Sequence, residues 1–432
     1  MKNSFLFAEL LLNKKECMRY LAFLIITTLI FSCKTTETTS SKEPLTPTIE
    51  KAKELAQKYV IVDGHVDLPY RLAISNFRLE KEYLGIPISS EKGDFDYMRS
   101  KEGGLDAPFM SIYIPADNQL EKGKSKKHAE SLIDMVEGIC NEHPDKFEVA
   151  KSVSDVKRIK RQGKIALPMG MENGAGLEDD IKNVKYFKDR GISYITLTHS
   201  KVNLICDSSY DSERKWVGLS PYGEKVVKEM NRVGIMVDIS HVSDSTFFDV
   251  VRLTDVPVIA SHSSAQRYTP GFERNMADDL IKELGKNGGV IMINFGSTFL
   301  DQKSRDQADA TRTKIRKMLK DMELEPDSKK GKAVAERFSE GQPVLFADIQ
   351  KVADHIDHVV SLIGINHVGL GSDFDGVGDS LPTGLKDVSD YPNLLLELIK
   401  RGYSEKDIAK ICSGNLFRVW QQVENHAKAS KG

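Results

Sequence analysis

The chain has 432 residues, of which 29% are charged and 40% are hydrophobic. This composition is typical of a globular protein large enough for one large barrel or two domains, and it excludes fibrous and wholly disordered classes. With 61 basic and 63 acidic residues the formal net charge is −2, which gives no reason to expect a nucleic-acid partner. We therefore expect a small-molecule substrate.

The N-terminal segment differs from the rest of the chain. Basic residues at 14, 15 and 19 precede an apolar run, residues 21–31, that is far shorter than the ~20 residues a membrane-spanning helix needs. We interpret the run as the core of a signal peptide. It leads into IFSC, ending at Cys33, which resembles the lipobox of bacterial lipoproteins, in which the cysteine is lipidated and begins the mature chain.

The residues after Cys33 favour this interpretation over an ordinary hydrophobic N-terminal helix. Residues 34–50 are rich in Ser, Thr and Pro, a composition typical of a flexible tether. The sequence thus predicts a lipoprotein signal peptide over residues 1–33, a tether over 34–50 and a catalytic body over 51–426. We expect the mature protein to be anchored by lipid to a membrane of a bacterial cell envelope.

The body alternates short apolar strands with polar loops and helical patterns, which is the signature of a parallel α/β sheet. Eight strands are predicted, at Tyr59–Val62, Pro108–Ile114, Ile165–Met171, Tyr194–Thr198, Ile235–Ile239, Val258–Ser261, Val290–Phe295 and His367–Ser372. Helices predicted between them include Pro221–Val233, with Ser220 as its cap, and Ile349–Ile363. This order predicts a (β/α)8 barrel of the TIM type, whose catalytic groups lie at the C-terminal ends of the strands.

The segment Asp301–Pro343 does not fit the alternation. It is highly charged and has no strand pattern, and a helical run is visible only at Thr311–Asp321. We interpret it as an insertion after the seventh strand that is mostly solvated, with a smaller chance that it forms a lid.

Polar side chains follow six of the eight predicted strands. They are His65 and Asp67 after the first strand, Glu172 after the third, His199 after the fourth, His241 after the fifth, His262 after the sixth, and Asp373 and Asp375 after the eighth. In a barrel these groups converge in one bowl and supply more ligands than a single zinc ion needs. This favours two metal ions that share a carboxylate.

Each residue has a simpler interpretation when it is taken alone. The His65-x-Asp67 pair is also typical of a solvated turn, and His241 or His262 could be a structural histidine bonded to backbone. Their recurrence at strand ends favours a metal site. We interpret His128, His143, His355, His358 and His426 as surface residues, and His367 as lying at the wrong end of its strand for the bowl.

The motifs resemble those of the renal or membrane dipeptidases, a family of the amidohydrolase-like barrel group, over about Val60–Val423. The motifs are DGHVDLP at 63–69, GMENG at 170–174, ITLTHS at 195–200, GLSPYG at 218–223, VDISHVS at 237–243, ASHSSA at 260–265 and GLGSDFDGV at 369–377.

The resemblance implies a role for each residue of the bowl. His65 and Asp67 would bind one zinc ion, His241 and His262 the second, and Glu172 would bridge the two ions. His199 would contact the substrate near the reacting carbonyl, Arg274 would hold the substrate carboxylate, and Asp373 would lie near the substrate amino group and the catalytic water. The implied activity is hydrolysis of dipeptides, with tolerance of a C-terminal D-residue, and members are often homodimers.

Two other functions remain compatible with the sequence. A deaminase or an N-acyl amino acid deacylase would use the same bowl, although Arg274 and a pocket for a free amine and a free carboxylate favour a dipeptidase. A lipoprotein that only binds peptide or zinc would be expected to lack some of the ligands, and none is missing here.

Replacing Cys33 by alanine is expected to release the protein from the membrane fraction, because the lipid would be attached through this thiol. The measurement is fractionation of cells that express the variant, with Cys140→Ala as the control. Membrane association of a fully processed Cys33→Ala chain would contradict lipidation.

Overall fold

A ring of parallel strands forms the centre of the molecule. The computed structural model describes residues 46–74, 88–90, 92–326, 328–342 and 344–430. The strands of this part of the chain are β1 Ile61–Val66, β2 Leu105–Tyr113, β3 Phe147–Val149, β4 Ile165–Leu167, β5 Met169–Glu172, β6 Ile192–Thr196, β7 Met236–Asp238, β8 Ile259–Ser263, β9 Val290–Ile293 and β10 Val368–Leu370. All except β3 and β4 close into a barrel in the order β1-β10-β9-β8-β7-β6-β5-β2. The predicted (β/α)8 fold is confirmed.

Helices surround the barrel. In chain order they are α1 Ile49–Lys58, α2 Leu68–Ile74, α3 Tyr97–Gly103, α4 Lys124–Glu142, α5 Val153–Arg161, α6 Lys182–Arg190, α7 Pro221–Val233, α8 Asp244–Leu253, α9 Asp278–Asn287, α10 Ser297–Leu300, α11 Gln302–Asp321, α12 Lys329–Glu340, α13 Ile349–Ile363, α14 Tyr391–Lys400, α15 Glu405–Ala409 and α16 Asn415–Ala429. A π-helical turn, Lys410–Gly414, joins the last two. No helix of the described residues combines the length and the apolar character needed to cross a membrane.

The predicted strand Ile165–Met171 is in fact two strands. Its first half, β4, pairs with β3 outside the barrel, and its second half, β5, enters the barrel between β2 and β6. Pro168 separates the halves, and it has no N–H group to donate to a neighbouring strand. The break places Glu172 at the end of a barrel strand.

The ends of α7 and α13 agree with prediction because their caps are encoded locally. The Ser220 hydroxyl accepts a hydrogen bond from the Gly223 N–H group at 2.9 Å, and Pro221 occupies the first turn, where its missing donor is not needed. Asp348 accepts in the same way from the Lys351 N–H group at the start of α13.

The charged segment contains two helices rather than one short helical run. Asp301 caps α11 by accepting from the N–H groups of Lys303 and Ser304, so the helix begins well before the predicted Thr311. A second helix, α12, follows where no helix was predicted. Few side chains of α11 are buried, as expected for a solvated segment.

His355 is a correction, because it is buried rather than on the surface. Its Nδ1 accepts from the Ala265 N–H group at 3.0 Å, and its Nε2 donates to the Leu300 carbonyl at 3.1 Å. Burial lowers its pKa to about 4, so the ring is neutral at physiological pH. The position shares the apolar face of α13 with Val352 and Val359, a periodicity that the surface interpretation overlooked.

Three predicted features remain: His367, the tether and the signal peptide. His367 lies before β10, at the end away from the bowl, and its Nδ1 is 2.8 Å from the Gly289 carbonyl. Helix α1 begins at Ile49, within the last residues of the predicted tether. The predicted signal peptide and Cys33 lie outside the described residues.

Candidate metal centre and active site

Seven of the eight polar side chains predicted to converge lie together at the C-terminal ends of the barrel strands, and Asp375 is the exception. Ligand atoms of three overlapping groups lie within 4.8 Å of one another: His65, Glu172 and His262; Glu172, His199 and His241; and His65, Asp67 and Asp373. All of them except His65 line the floor of a cavity of about 900 Å³. All these groups except His199 are buried.

Glu172 lies at the centre, and each of its two oxygens faces a different set of ligands. Oε2 is 3.5 Å from Nε2 of His65, which is itself 3.5 Å from Oδ2 of Asp67. Oε1 is 3.1 Å from Nε2 of His241 and 3.3 Å from Nε2 of His262. The carboxylate therefore lies between His65 with Asp67 on one oxygen and His241 with His262 on the other.

A tyrosine at the barrel centre orients His65. The Tyr194 hydroxyl donates to the Gly64 carbonyl at 3.0 Å, so it accepts from Nδ1 of His65 at 2.9 Å. With Nδ1 engaged in this way, Nε2 faces Glu172. The ring of Tyr194 needs Gly170 beneath it, because a Cβ at that position would lie 1.9 Å from Cζ of the tyrosine.

His262 is oriented by a chain of hydrogen bonds that ends on a buried carboxylate. Its Nδ1 donates to the Ser261 hydroxyl at 2.8 Å, and that hydroxyl donates to Asp238 at 2.6 Å. Thr196 also donates to Asp238, at 2.5 Å. Such outer partners fix the tautomer of a metal-binding histidine and raise its basicity.

The donor set fits metal ions. Nε2 of His65 and Oδ1 of Asp67 are buried and have no hydrogen-bond partner among the described residues. This arrangement costs free energy unless something else satisfies these atoms. Burial lowers the pKa of His241 and of His262 well below the usual range, so both imidazoles are neutral donors. Burial opposes ionisation of Glu172, but the surrounding imidazoles lower its pKa well below the usual range.

Asp373 lies at the edge of this cluster, after β10. Its Oδ2 accepts from the side-chain amide of Asn294 at 2.8 Å. Burial raises its pKa to about 7, and the negative charges of Asp67 and Glu172 act in the same direction. The loop passes so close that a Cβ at Gly376 would lie 2.2 Å from Oδ2 of Asp67 and 2.3 Å from Oδ1 of Asp373.

His199 and Asp375 occupy different surroundings. His199 is half-buried on the cavity wall, with Nε2 3.7 Å from Oε1 of Glu172 and its ring beside those of Tyr113 and His241. Asp375 instead forms an ion pair with Arg71 at 3.3 Å and accepts from the Asp94 N–H group at 2.7 Å. These contacts indicate a structural role for Asp375.

Arg274 lies beside the cluster but is not among the residues that line the cavity. It is buried, and it donates to the Ser263 hydroxyl at 2.6 Å and to the His262 carbonyl at 2.7 Å. Its Nε has no partner among the described residues, so part of the guanidinium remains available.

The sequence did not single out Tyr194, Asp238 or Asn294. Tyr194 and Asp238 lie within predicted strands, where their side chains are read as packing residues. Asn294 directly follows β9, as the candidate ligands follow their strands. The predicted seventh strand continues to Phe295, so Asn294 is assigned to the strand itself.

Comparison with known proteins identifies the family. Residues 49–432 match the model of the membrane dipeptidases, peptidase family M19. The chain belongs to this family. It is therefore a metal-dependent dipeptidase, a hydrolase that acts on peptide bonds.

Individual relatives agree with this assignment. The chain is 33% identical over 377 residues to dipeptidase tcpJ of Claviceps purpurea (strain 20.1), covering 86% of this chain and 78% of that protein. It is 30% identical over 387 residues to dipeptidase 3 of Mus musculus, covering 89% and 68%.

Solved structures share the fold. The probable dipeptidase PvdM from Pseudomonas aeruginosa superposes with a TM-score of 0.74 at 25% identity, covering 88% of this chain and 99% of that one. A metallo peptidase from Rhodobacter sphaeroides, liganded with a phosphinate mimic of the dipeptide L-Ala-D-Ala, gives a TM-score of 0.68 at 24% identity, covering 84% and 99%.

Replacing Tyr194 by phenylalanine is expected to weaken metal binding by about tenfold to a hundredfold, because His65 loses the acceptor that fixes its tautomer. Competition with a chelator, followed by metal analysis, measures the change. The control is Tyr186→Phe, which removes a hydroxyl that bonds to Glu130 away from the barrel centre. Equal affinities in the two variants would contradict this role for Tyr194.

Proposed function

We propose that this dipeptidase holds two zinc ions bridged by Glu172 and tolerates a D-residue at the C-terminal position of its substrate. The observation that carries the proposal is the division of the donors into two sets, one on each oxygen of Glu172. His65 and Asp67 would hold one ion, and His241 and His262 the other. Imidazole nitrogens and carboxylate oxygens in this number suit catalytic zinc sites, which leave a position open.

Zinc ions bound in these two sets would polarise the scissile carbonyl and lower the pKa of water to roughly 7, which would supply a nucleophile at neutral pH. The barrel contributes a site in which the donors are already oriented. Tyr194 and the Ser261–Asp238 pair maintain that orientation before substrate binds.

His199 is positioned to stabilise negative charge on the carbonyl oxygen. Burial lowers its pKa, so it is neutral and carries a single N–H group at physiological pH. A donor of this kind contributes on the order of 3 kcal/mol to the transition state in other hydrolases. Its place on the cavity wall leaves it free to meet a substrate above Glu172.

Asp373 is the group best placed to carry a proton to the leaving amine. A pKa of about 7 suits a residue that must both accept and release a proton near neutrality. Bound cations would oppose the part of this shift that comes from Asp67 and Glu172, whereas the part that comes from burial would remain. The amide of Asn294 holds one oxygen, which leaves Oδ1 toward Gly376 and the cavity.

The substrate carboxylate would be held near Arg274, whose Nε has no partner in the described part of the chain. The L-Ala-D-Ala mimic in the Rhodobacter sphaeroides relative supports an L,D-dipeptide as substrate. Attachment to the bacterial envelope through lipidated Cys33, and a homodimer, belong to the same proposal. They rest on the N-terminal sequence and on the family resemblance.

The function is tested by assaying the zinc-loaded protein on L,L- and L,D-dipeptides while its metal content is measured. We expect two zinc ions per chain and hydrolysis of both series. Activity only on N-acyl amino acids or on an amine-bearing ring would favour a deacylase or a deaminase. Zinc binding without turnover of any of these compounds would favour a binding protein.

Replacing Asp373 by asparagine is expected to leave both metal ions in place and to lower kcat by about a hundredfold or more, because asparagine keeps the size but not the basicity of the side chain. The matched control is Asp375→Asn, two residues away, whose carboxylate is paired with Arg71. Metal content and kcat are measured on both. Loss of a metal ion would show that Asp373 is a ligand, and near-normal kcat with both ions bound would exclude proton transfer.

A further inference from the structure

Helix α11, from the charged segment, carries arginines that reach the active-site cavity. Arg305, Arg312 and Arg316 all line it. Spacings of seven and four residues place them on one face of the helix. Seven basic and three acidic residues occur in α11, whereas the whole chain is nearly neutral.

Acidic partners do not cancel this charge. Asp309 is the acidic residue of α11 on the cavity wall, and it pairs with Arg305 at 3.6 Å and with Arg312 at 2.5 Å. Arg316 has no ion pair within the described ranges and is exposed. Lys201, the other cation on the wall, is 3.5 Å from Asp211. The α11 face therefore presents an excess of positive charge to the cavity.

The position of this face relative to the metal centre indicates which part of a substrate would meet it. Arg274, bonded at the end of β8, lies 5.4 Å from the ring centre of Phe299. That ring lies 5.5 Å from the ring of Phe272, on which Arg305 stacks at 3.4 Å. This row of contacts connects Arg274 to α11, so the cationic face borders the side of the cavity where the C-terminal residue of a dipeptide would lie.

We propose that α11 selects dipeptides whose C-terminal residue has an acidic side chain. This rests on the proposed function, because it takes Arg274 as the group that holds the main-chain carboxylate. The second carboxylate of a C-terminal Glu or Asp would then extend toward Arg312 and Arg316. Guanidinium groups suit this task because their paired N–H groups match the geometry of a carboxylate. A cavity of about 900 Å³ has room for the longer side chain.

This selection predicts a preference between two dipeptides that depends on salt concentration. An exposed arginine acts through solvent and salt, so its contribution is modest and falls as ionic strength rises. We expect kcat/KM for L-Ala-D-Glu to exceed that for the uncharged and nearly isosteric L-Ala-D-Gln by about tenfold at low salt, the change expected of a charge-assisted contact near the surface. The ratio is expected to shrink when salt is added.

The experiment compares these two dipeptides on the zinc-loaded enzyme and on the double variant Arg312→Gln/Arg316→Gln. The variant is expected to lower kcat/KM for L-Ala-D-Glu to the level of L-Ala-D-Gln, while the value for L-Ala-D-Gln changes less than about twofold, since the metal centre is untouched. The matched control is Lys314→Gln/Lys317→Gln, which removes the same charge from α11 at positions that do not line the cavity.

The outcomes separate this inference from the function on which it rests. Equal hydrolysis of the two dipeptides by the unmodified enzyme would overturn acidic selection and leave the dipeptidase intact. An equal loss of preference in the lysine control would also overturn it, because the effect would then come from net charge alone. Failure to hydrolyse either dipeptide, or any other, would instead contradict the proposed function.

Discussion

The buried carboxylate of Glu172 is the constraint on which the rest of the site depends. A carboxylate removed from water costs several kcal/mol unless opposite charge or hydrogen bonds compensate it. Here it is buried among imidazoles, with His65 on one oxygen and His241 and His262 on the other. Metal ions bound between these groups would supply such compensation. The metal dependence of the family agrees with this balance of charge at the end of β5.

The barrel makes this arrangement rigid through residues that do not line the cavity. Tyr194 fixes His65, and the Ser261–Asp238 pair fixes His262, so the tautomers of both rings are set by groups within β6, β7 and β8. Gly170 gives the tyrosine ring its space. Because these partners belong to strands rather than loops, the donors remain in place without ligand, and little reorganisation is needed when metal binds.

Much of this centre could be predicted from sequence because a barrel turns chain order into spatial order. Polar residues that follow separate strands must meet at the same end of a parallel sheet, and this rule predicts that His65, Glu172 and His262 lie close together, as they do. The rule fails where a side chain acts from inside a strand, as Tyr194 and Asp238 do. Two other features were missed for different reasons. The burial of His355 depends on which face of α13 packs inward, and the effect of Pro168 on strand pairing depends on the neighbouring strands.

Residues at the ends of the barrel strands form the floor of the cavity, whereas residues outside the barrel form part of its wall. Loops at the C-terminal ends of the strands can lengthen without disturbing the core, which is why this face supports variation in specificity. Helix α11 belongs to such a loop, between β9 and β10, and it brings Arg312 and Arg316 to the same cavity as Glu172. The floor determines that a peptide bond is hydrolysed, because it holds the metal donors. Charge on the wall acts on the part of the substrate that does not react, so it can change the choice of dipeptide while the chemistry stays the same.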